Sequence, residues 1–154
     1  MRYLIVVDMQ NDFVTGSLGS KMAEMIVPAV CEKIRRYKAQ GSTVFMTLDT
    51  HFKDYLETPE GKKLPVEHCI KGTEGWQPET QVAEAIGGSA EVYEKSTFGS
   101  AELAQHLAEI TKAGDEIELC GLCTDICVVS NALLIKAFCP ECEVIVDANA
   151  CAGV

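Results

Sequence analysis

Apolar residues along this chain follow two alternating rhythms. Tyr3-Leu-Ile-Val-Val7 is an unbroken apolar run, the pattern of a strand buried on both faces. From Ala23 to Gln40 the rhythm changes: Ile26, Val30, Ile34 and Tyr37 recur at helical spacing, and Gly41 stands where a helix would stop. Pro28 interrupts that pattern and fits a helix only near its start. Thr43 to Leu48 predicts a second strand. Residues 50 to 80 are polar and rich in Pro and Gly, so no regular structure is expected there, and a stretch of that length is usually functional or mobile. Val82 to Ile86 predicts a short helix and Ala90 to Tyr93 a third strand. Ser100 to Lys112 predicts an amphipathic helix: Ser100 is its N-cap, Leu103, Leu107 and Ile110 form its stripe, and Gly114 ends it. Glu116 to Leu119 reads as a fourth strand, Asp125 to Ala137 as a strongly apolar helix and Glu143 to Val146 as a fifth strand.

Strands that alternate with helices imply a parallel sheet with right-handed crossovers. The expected architecture is a three-layer α/β/α sandwich around a central parallel sheet. A length of 154 residues suits one core and is short for two, so residues 1–154 are read as one domain. No internal repeat, low-complexity tract or linker interrupts it.

Composition narrows the class of partner. Hydrophobic residues make up 47% and charged residues 23%, a globular balance. The formal net charge of -10 brings no long-range attraction to phosphate backbones or anionic lipid, which argues against nucleic acid and membrane surfaces as partners. No run approaches the ~20 apolar residues of a membrane helix. The N-terminal apolar run stops at Asp8, too short for a signal peptide. A cytoplasmic protein is expected.

Eight cysteines is a high count. In a cytosolic chain with a core this large, thiols are buried, catalytic or metal-binding rather than disulfide-forming. Cys120-x-x-Cys123 and Cys139-x-x-Cys142 are separated by fifteen residues, a spacing that fits a four-cysteine zinc pattern. Geometry argues against it. The intervening helix travels about 18–20 Å at ~1.5 Å per residue, which puts the two pairs at opposite ends of the sheet. A non-catalytic zinc or thiol module is nevertheless the rival from a different class.

In a parallel sheet, ligands bind outside the carboxyl ends of the strands. Three reactive side chains fall at that edge: Asp8 ends the first strand, Lys95 follows the third, and Cys127 lies in the first turn of the helix after the fourth. A thiol there meets the positive end of the helix dipole, and a nearby ammonium would lower its pKa further. A carboxylate beside it can take the thiol proton and later pass it to a leaving amine. Each residue alone is more often a turn or cap residue, a solvated charge or a small core residue. Their conjunction points to chemistry.

Three blocks then carry a family likeness: Val7-Asp-Met-Gln-Asn-Asp-Phe13, Lys95-Ser-Thr-Phe98 and Gly121-Leu-Cys-Thr-Asp-Ile-Cys-Val128. In order and spacing they resemble the signature blocks of the isochorismatase-like cysteine hydrolases. That family includes nicotinamidases/pyrazinamidases, carbamoylsarcosine amidase and ureidoacrylate-type amidohydrolases. The resemblance implies an amidohydrolase with a triad of Asp8, Lys95 and Cys127. It also implies a cis peptide between Leu122 and Cys123, with the backbone N–H groups of Cys123 and Cys127 as an oxyanion hole. The implied substrate is a small amide, with nicotinamide foremost. The alternatives are another amide, ureido or carbamoyl compound, or an isochorismate-like vinyl ether. A homo-oligomer is implied, and no organic cofactor.

A metal is the remaining question. Asp49-Thr-His51 and Pro65-Val-Glu-His-Cys69 resemble the contexts in which nicotinamidases hold a divalent ion against a pyridine nitrogen. Asp49, His51 and His68 are the implied ligands, and such a donor set suits zinc, iron or manganese. The further His that many nicotinamidases show in the intervening loop is missing here. Asp54 or Glu57 is available in its place, and a metal-free site is the alternative. Phe13 and Trp76 are candidate pocket walls for a flat substrate, and Trp76 equally suits plain packing. The family usually continues with a further helix after a strand like Glu143 to Ala148, whereas this sequence stops at Val154.

Overall fold

The computed structural model describes residues 1–154. In chain order the principal elements are β1 (Arg2–Val7), α1 (Asn11–Val14), α2 (Lys21–Ala39), β2 (Thr43–Asp49), α3 (Pro59–Lys63), α4 (Thr80–Ile86), β3 (Glu91–Lys95), α5 (Ala101–Ile110), β4 (Glu116–Leu122), α6 (Val129–Phe138) and β5 (Glu143–Ala152). The five strands form one sheet in the order β3-β2-β1-β4-β5, and every pairing is parallel. The predicted α/β/α layering is therefore what the chain adopts.

The apolar run of β1 explains its central place. Leu4 and Val6 pack on one face with α2 and α4. Tyr3, Ile5 and Val7 pack on the other with α5 and α6. Full burial of such side chains contributes roughly 1.5–3 kcal/mol each, so neither face can be exchanged for solvent. β1 and β4 approach closely at Gly121, whose φ is 118°; a Cβ there would lie 2.2 Å from the Val7 carbonyl oxygen.

Several boundaries differ from the sequence reading. α2 begins at Lys21 because the Ser20 hydroxyl accepts the Ala23 N–H, and it runs straight through Pro28. That ring sits on the exposed face, where water can satisfy the carbonyl one turn earlier. The stretch expected to lack regular structure contains α3, capped by Thr58 with Pro59 at its first position, and two 3₁₀ turns, Tyr55–Glu57 and Glu74–Trp76. β4 extends to Leu122. β5 runs far beyond Val146 because four residues, Asp147 to Ala150, bulge opposite Cys120 before pairing resumes at Cys151. No helix is long and apolar enough to cross a membrane.

Candidate active site

The strand order reverses between β1 and β4, and a crevice opens at such a switch point beyond the carboxyl ends. Asp8 leaves β1 in the left-handed region, at φ 48°, and is fully buried. Lys95 closes β3. Cys127 does not sit in a regular first helical turn as expected. It sits in a π-helical turn, Thr124–Val128, that precedes α6. The peptide between Leu122 and Cys123 is cis.

These side chains meet. Lys95 Nζ donates to Asp8 Oδ2 at 2.7 Å and reaches Cys127 Sγ at 3.6 Å. Thr47 Oγ1 donates to the other Asp8 oxygen at 2.7 Å. Burial raises the Asp8 carboxyl above its ordinary range, against the pull of Lys95. Burial disfavours the Lys95 ammonium, but Asp8, Cys127 and Asp49 outweigh it and hold the charge. The expectation of a lowered thiol pKa is corrected here: burial and then the Asp8 carboxylate push the Cys127 thiol up, with Lys95 opposing. The physical reason is first the exclusion of water, which disfavours the thiolate, and then the pairing of the ammonium with a carboxylate, so that the sulfur faces an ion pair rather than a lone cation.

A second cluster adjoins the first. The ligating atoms of Asp49, His51 and His68 all lie within 4.8 Å of one another. Asp49 Oδ2 is 2.9 Å from His51 Nε2 and 3.3 Å from His68 Nε2, while its Oδ1 is 3.8 Å from Lys95 Nζ. One carboxylate thus faces both clusters. Burial works against its ionisation, yet the two imidazoles and Lys95 hold it well below the usual carboxylate range. His68 Nδ1 stands 2.8 Å from the Val66 carbonyl, which can only accept, so Nδ1 carries the hydrogen. In the neutral ring that leaves Nε2 bare and able to ligate.

Glu60 is the residue the sequence reading missed. Its Oε2 lies 3.3 Å from His51 Nε2 and 3.9 Å from His68 Nε2, and it is buried without a hydrogen-bond partner. An orphaned carboxylate oxygen beside two imidazole nitrogens is what a cation would satisfy. The donor set fits zinc, iron or manganese. The suggested alternatives, Asp54 and Glu57, are not in this cluster. A Pro at the first position of α3 and lysines in its last turn would have announced a helix there, but not which face it turns inward.

Cys127 and the second cluster line one cleft of about 880 Å³, within the range of small-molecule sites, with Asp8 and Lys95 behind the thiol. Phe13, Phe98 and Ile126 supply apolar walls beside His51, His68 and Cys127. The Phe13 ring centroid is 5.5 Å from that of His68. Trp76 is not part of the lining. Its Nε1 donates to Thr50 Oγ1 at 2.9 Å and its carbonyl accepts from Gln10, so the indole braces the fold. Cys123 lines the cleft beside Cys127, and burial pushes its thiol up to about 11. Cys139 and Cys142 lie where β5 begins, at the opposite end of the sheet from Cys120 and Cys123.

Comparison with known proteins places the chain in a family. The isochorismatase domain profile matches residues 2–154. The isochorismatase family protein PncA of Bacillus subtilis strain 168 is 30% identical over 148 residues, covering 84% of this chain and 75% of the relative. The crystal structure of nicotinamidase/pyrazinamidase PncA from Bacillus subtilis is 27% identical and superposes with a TM-score of 0.85 over 99% of this chain and 86% of that one. Pyrazinamidase of Pyrococcus horikoshii, solved in complex with zinc, is 28% identical, with a TM-score of 0.81 over 99% of this chain and 87% of that one. With the family profile running from the second residue to the last, this chain belongs to the isochorismatase family of hydrolases.

Proposed function

We propose that the protein hydrolyses the C–N bond of a small planar amide, nicotinamide foremost, through a thioester on Cys127. The observation that carries this reading is the contact of Lys95 Nζ with both Asp8 Oδ2 and Cys127 Sγ, with Cys127 lining the same cleft as Asp49, His51, Glu60 and His68. The eight thiols are all free, which supports action in the reducing cytoplasm.

Asp8 takes the Cys127 proton as the sulfur attacks the amide carbonyl. Burial strengthens Asp8 as a base, and Lys95 balances the negative charge that passes between carboxylate and sulfur. The oxygen of the tetrahedral intermediate is assigned to the N–H groups of Cys123 and Cys127. In support, the Cys123 carbonyl takes the N–H groups of Ile126 and Val128, on either side of Cys127. Asp8 then protonates the nitrogen, ammonia leaves, and the acyl group remains on sulfur. Water attacks the thioester, Asp8 takes its proton, and the carboxylic acid departs as the thiol is restored. The balance is amide plus water to acid plus ammonia.

Asp49, His51, Glu60 and His68 are the residues that would hold a divalent ion. Such an ion supplies a Lewis-acidic anchor for a ring nitrogen of the substrate. Phe13 provides the apolar wall against which a flat ring lies.

The test is ammonia release across nicotinamide, pyrazinamide, carbamoyl amines and ureidoacrylate. Nicotinamide is expected to give the highest kcat/KM, with Cys127→Ala inactive and folded. Iodoacetamide should abolish turnover by alkylating Cys127. Full activity in Cys127→Ala would refute the mechanism, and a preference for a ureido or carbamoyl substrate would replace nicotinamide.

A further inference from the structure

Asp12 belongs to the same opening block as Asp8, yet takes no part in the chemistry above. Its Oδ2 accepts the backbone N–H of Cys69 at 2.8 Å. Cys69 follows His68 directly, is fully buried, and holds φ at 49°, a left-handed conformation that side chains other than glycine rarely adopt. Such a conformation persists only where its surroundings enforce it. The Cys69 carbonyl accepts the His51 N–H at 2.9 Å, and the Lys71 N–H returns to the His51 carbonyl at 2.9 Å. The two histidines are thereby joined through the backbone of residue 69.

Asp12 is itself fixed by shape. A Cβ at Gly75 would lie 2.1 Å from Asp12 Oδ2, and one at Gly16 would lie 2.4 Å from Oδ1. The carboxylate fills space that two glycines leave open. Nothing larger than hydrogen at either position would let it reach Cys69.

We propose that Asp12 is a positioning residue for the metal-binding loop: by holding the Cys69 N–H, it fixes the direction of His68 Nε2 toward Asp49. The proposal rests on reading Asp49, His51, Glu60 and His68 as a metal site. Groups that orient metal ligands typically contribute 10–100-fold to metal affinity.

The experiment measures zinc affinity by competition with a chromophoric chelator, together with the rate of Cys127 alkylation by iodoacetamide, on the full chain. Asp12→Ala is expected to weaken zinc binding 10–100-fold while the alkylation rate stays at the wild-type value. Asp12→Asn keeps an oxygen acceptor for the Cys69 N–H and is expected to bind zinc nearly as the wild type does. Asp12→Ser, too short to reach Cys69, gives the same reading as Asp12→Ala if that variant does not fold. Wild-type zinc affinity in Asp12→Ala or Asp12→Ser overturns this proposal alone. A parallel loss of alkylation rate overturns it too, since the effect would then be a general loosening. Absence of zinc binding in the wild type overturns the metal reading and this proposal with it.

Discussion

Gln10 completes the sheet for Asp49. Its Nε2 donates to the Asp49 carbonyl and its Oε1 accepts the Asp49 N–H, each at 2.8 Å. β1 has already turned away at Asp8, so the side-chain amide stands in for the strand residue that would have paired there. The carboxylate that faces both Lys95 and the histidines is thus anchored at its backbone. Gln10→Ala leaves two buried backbone groups unpaired, each costing about 1–3 kcal/mol. A stability loss of about 2–4 kcal/mol is expected from denaturant midpoints, together with weaker zinc binding. Unchanged stability would show that water replaces the amide.

The ion pair of Asp8 and Lys95 sets the reactivity of the thiol in a direction that can be read. Asp8 raises the Cys127 pKa and Lys95 lowers it. Asp8→Asn removes the raising charge and frees the ammonium, so the midpoint of the pH profile for alkylation should move to lower pH. Turnover should nevertheless be lost, because the amide cannot shuttle protons. A midpoint that moves up instead would mean that Asp8 does not face the sulfur as a carboxylate.

Glu60 should matter to metal binding where Asp54 and Glu57 do not. Glu60→Gln keeps the shape and removes the charge, and at least about a tenfold loss of zinc affinity is expected. Asp54→Asn and Glu57→Gln should bind as the wild type does. Chelator competition on the three variants distinguishes these outcomes, and equal affinities would remove Glu60 from the ligand set.

A buried network far from the cleft predicts the acid limit of stability. Lys33 Nζ lies 2.7 Å from Glu118 Oε1 and 2.8 Å from Asp147 Oδ2, and the Tyr37 hydroxyl donates to the remaining Glu118 oxygen. Burial works against Glu118, but the Lys33 and Tyr37 hydrogen bonds hold its carboxyl below the ordinary range; the Lys33 hydrogen bond does the same for Asp147. Depressed carboxyls contribute stability above their unfolded pKa values, near 4, and lose it as pH falls through the folded ones. Lys33→Met strands the two carboxylates, at a cost of about 3 kcal/mol near neutral pH. That cost should shrink in acid as they protonate. A penalty independent of pH, measured by urea melts at pH 7 and pH 4, would contradict this account.

Much of the fold was legible because burial on two faces forces a simple pattern. The unbroken run from Tyr3 to Val7 has the pattern of a strand buried on both faces and forms the central one, and the Ser100 hydroxyl caps α5 by accepting the Leu103 N–H, as its place in the sequence implied. The rim residues Asp8, Lys95 and Cys127 were legible too, since a strand end is a position along the chain. Glu60 was not. It lies in a stretch whose prolines and glycines hid α3, and only the fold of that stretch turns its carboxylate toward His51. The charge state of Cys127 was equally out of reach. Local sequence supplied a helix start and a lysine, but the thiol's ionisation answers to desolvation and to Asp8, more than a hundred residues away in the chain.

The sequence by itself determined which segments are strands and helices, and which reactive side chains stand at the rim, because periodicity and chain position are local properties. The tertiary structure alone decided which carboxylate approaches the histidines, that Gln10 bonds the Asp49 backbone and Asp12 the Cys69 N–H, and in which direction the thiol pKa moves. Those depend on distances of a few ångströms between residues far apart in the chain, and on the exclusion of water around them.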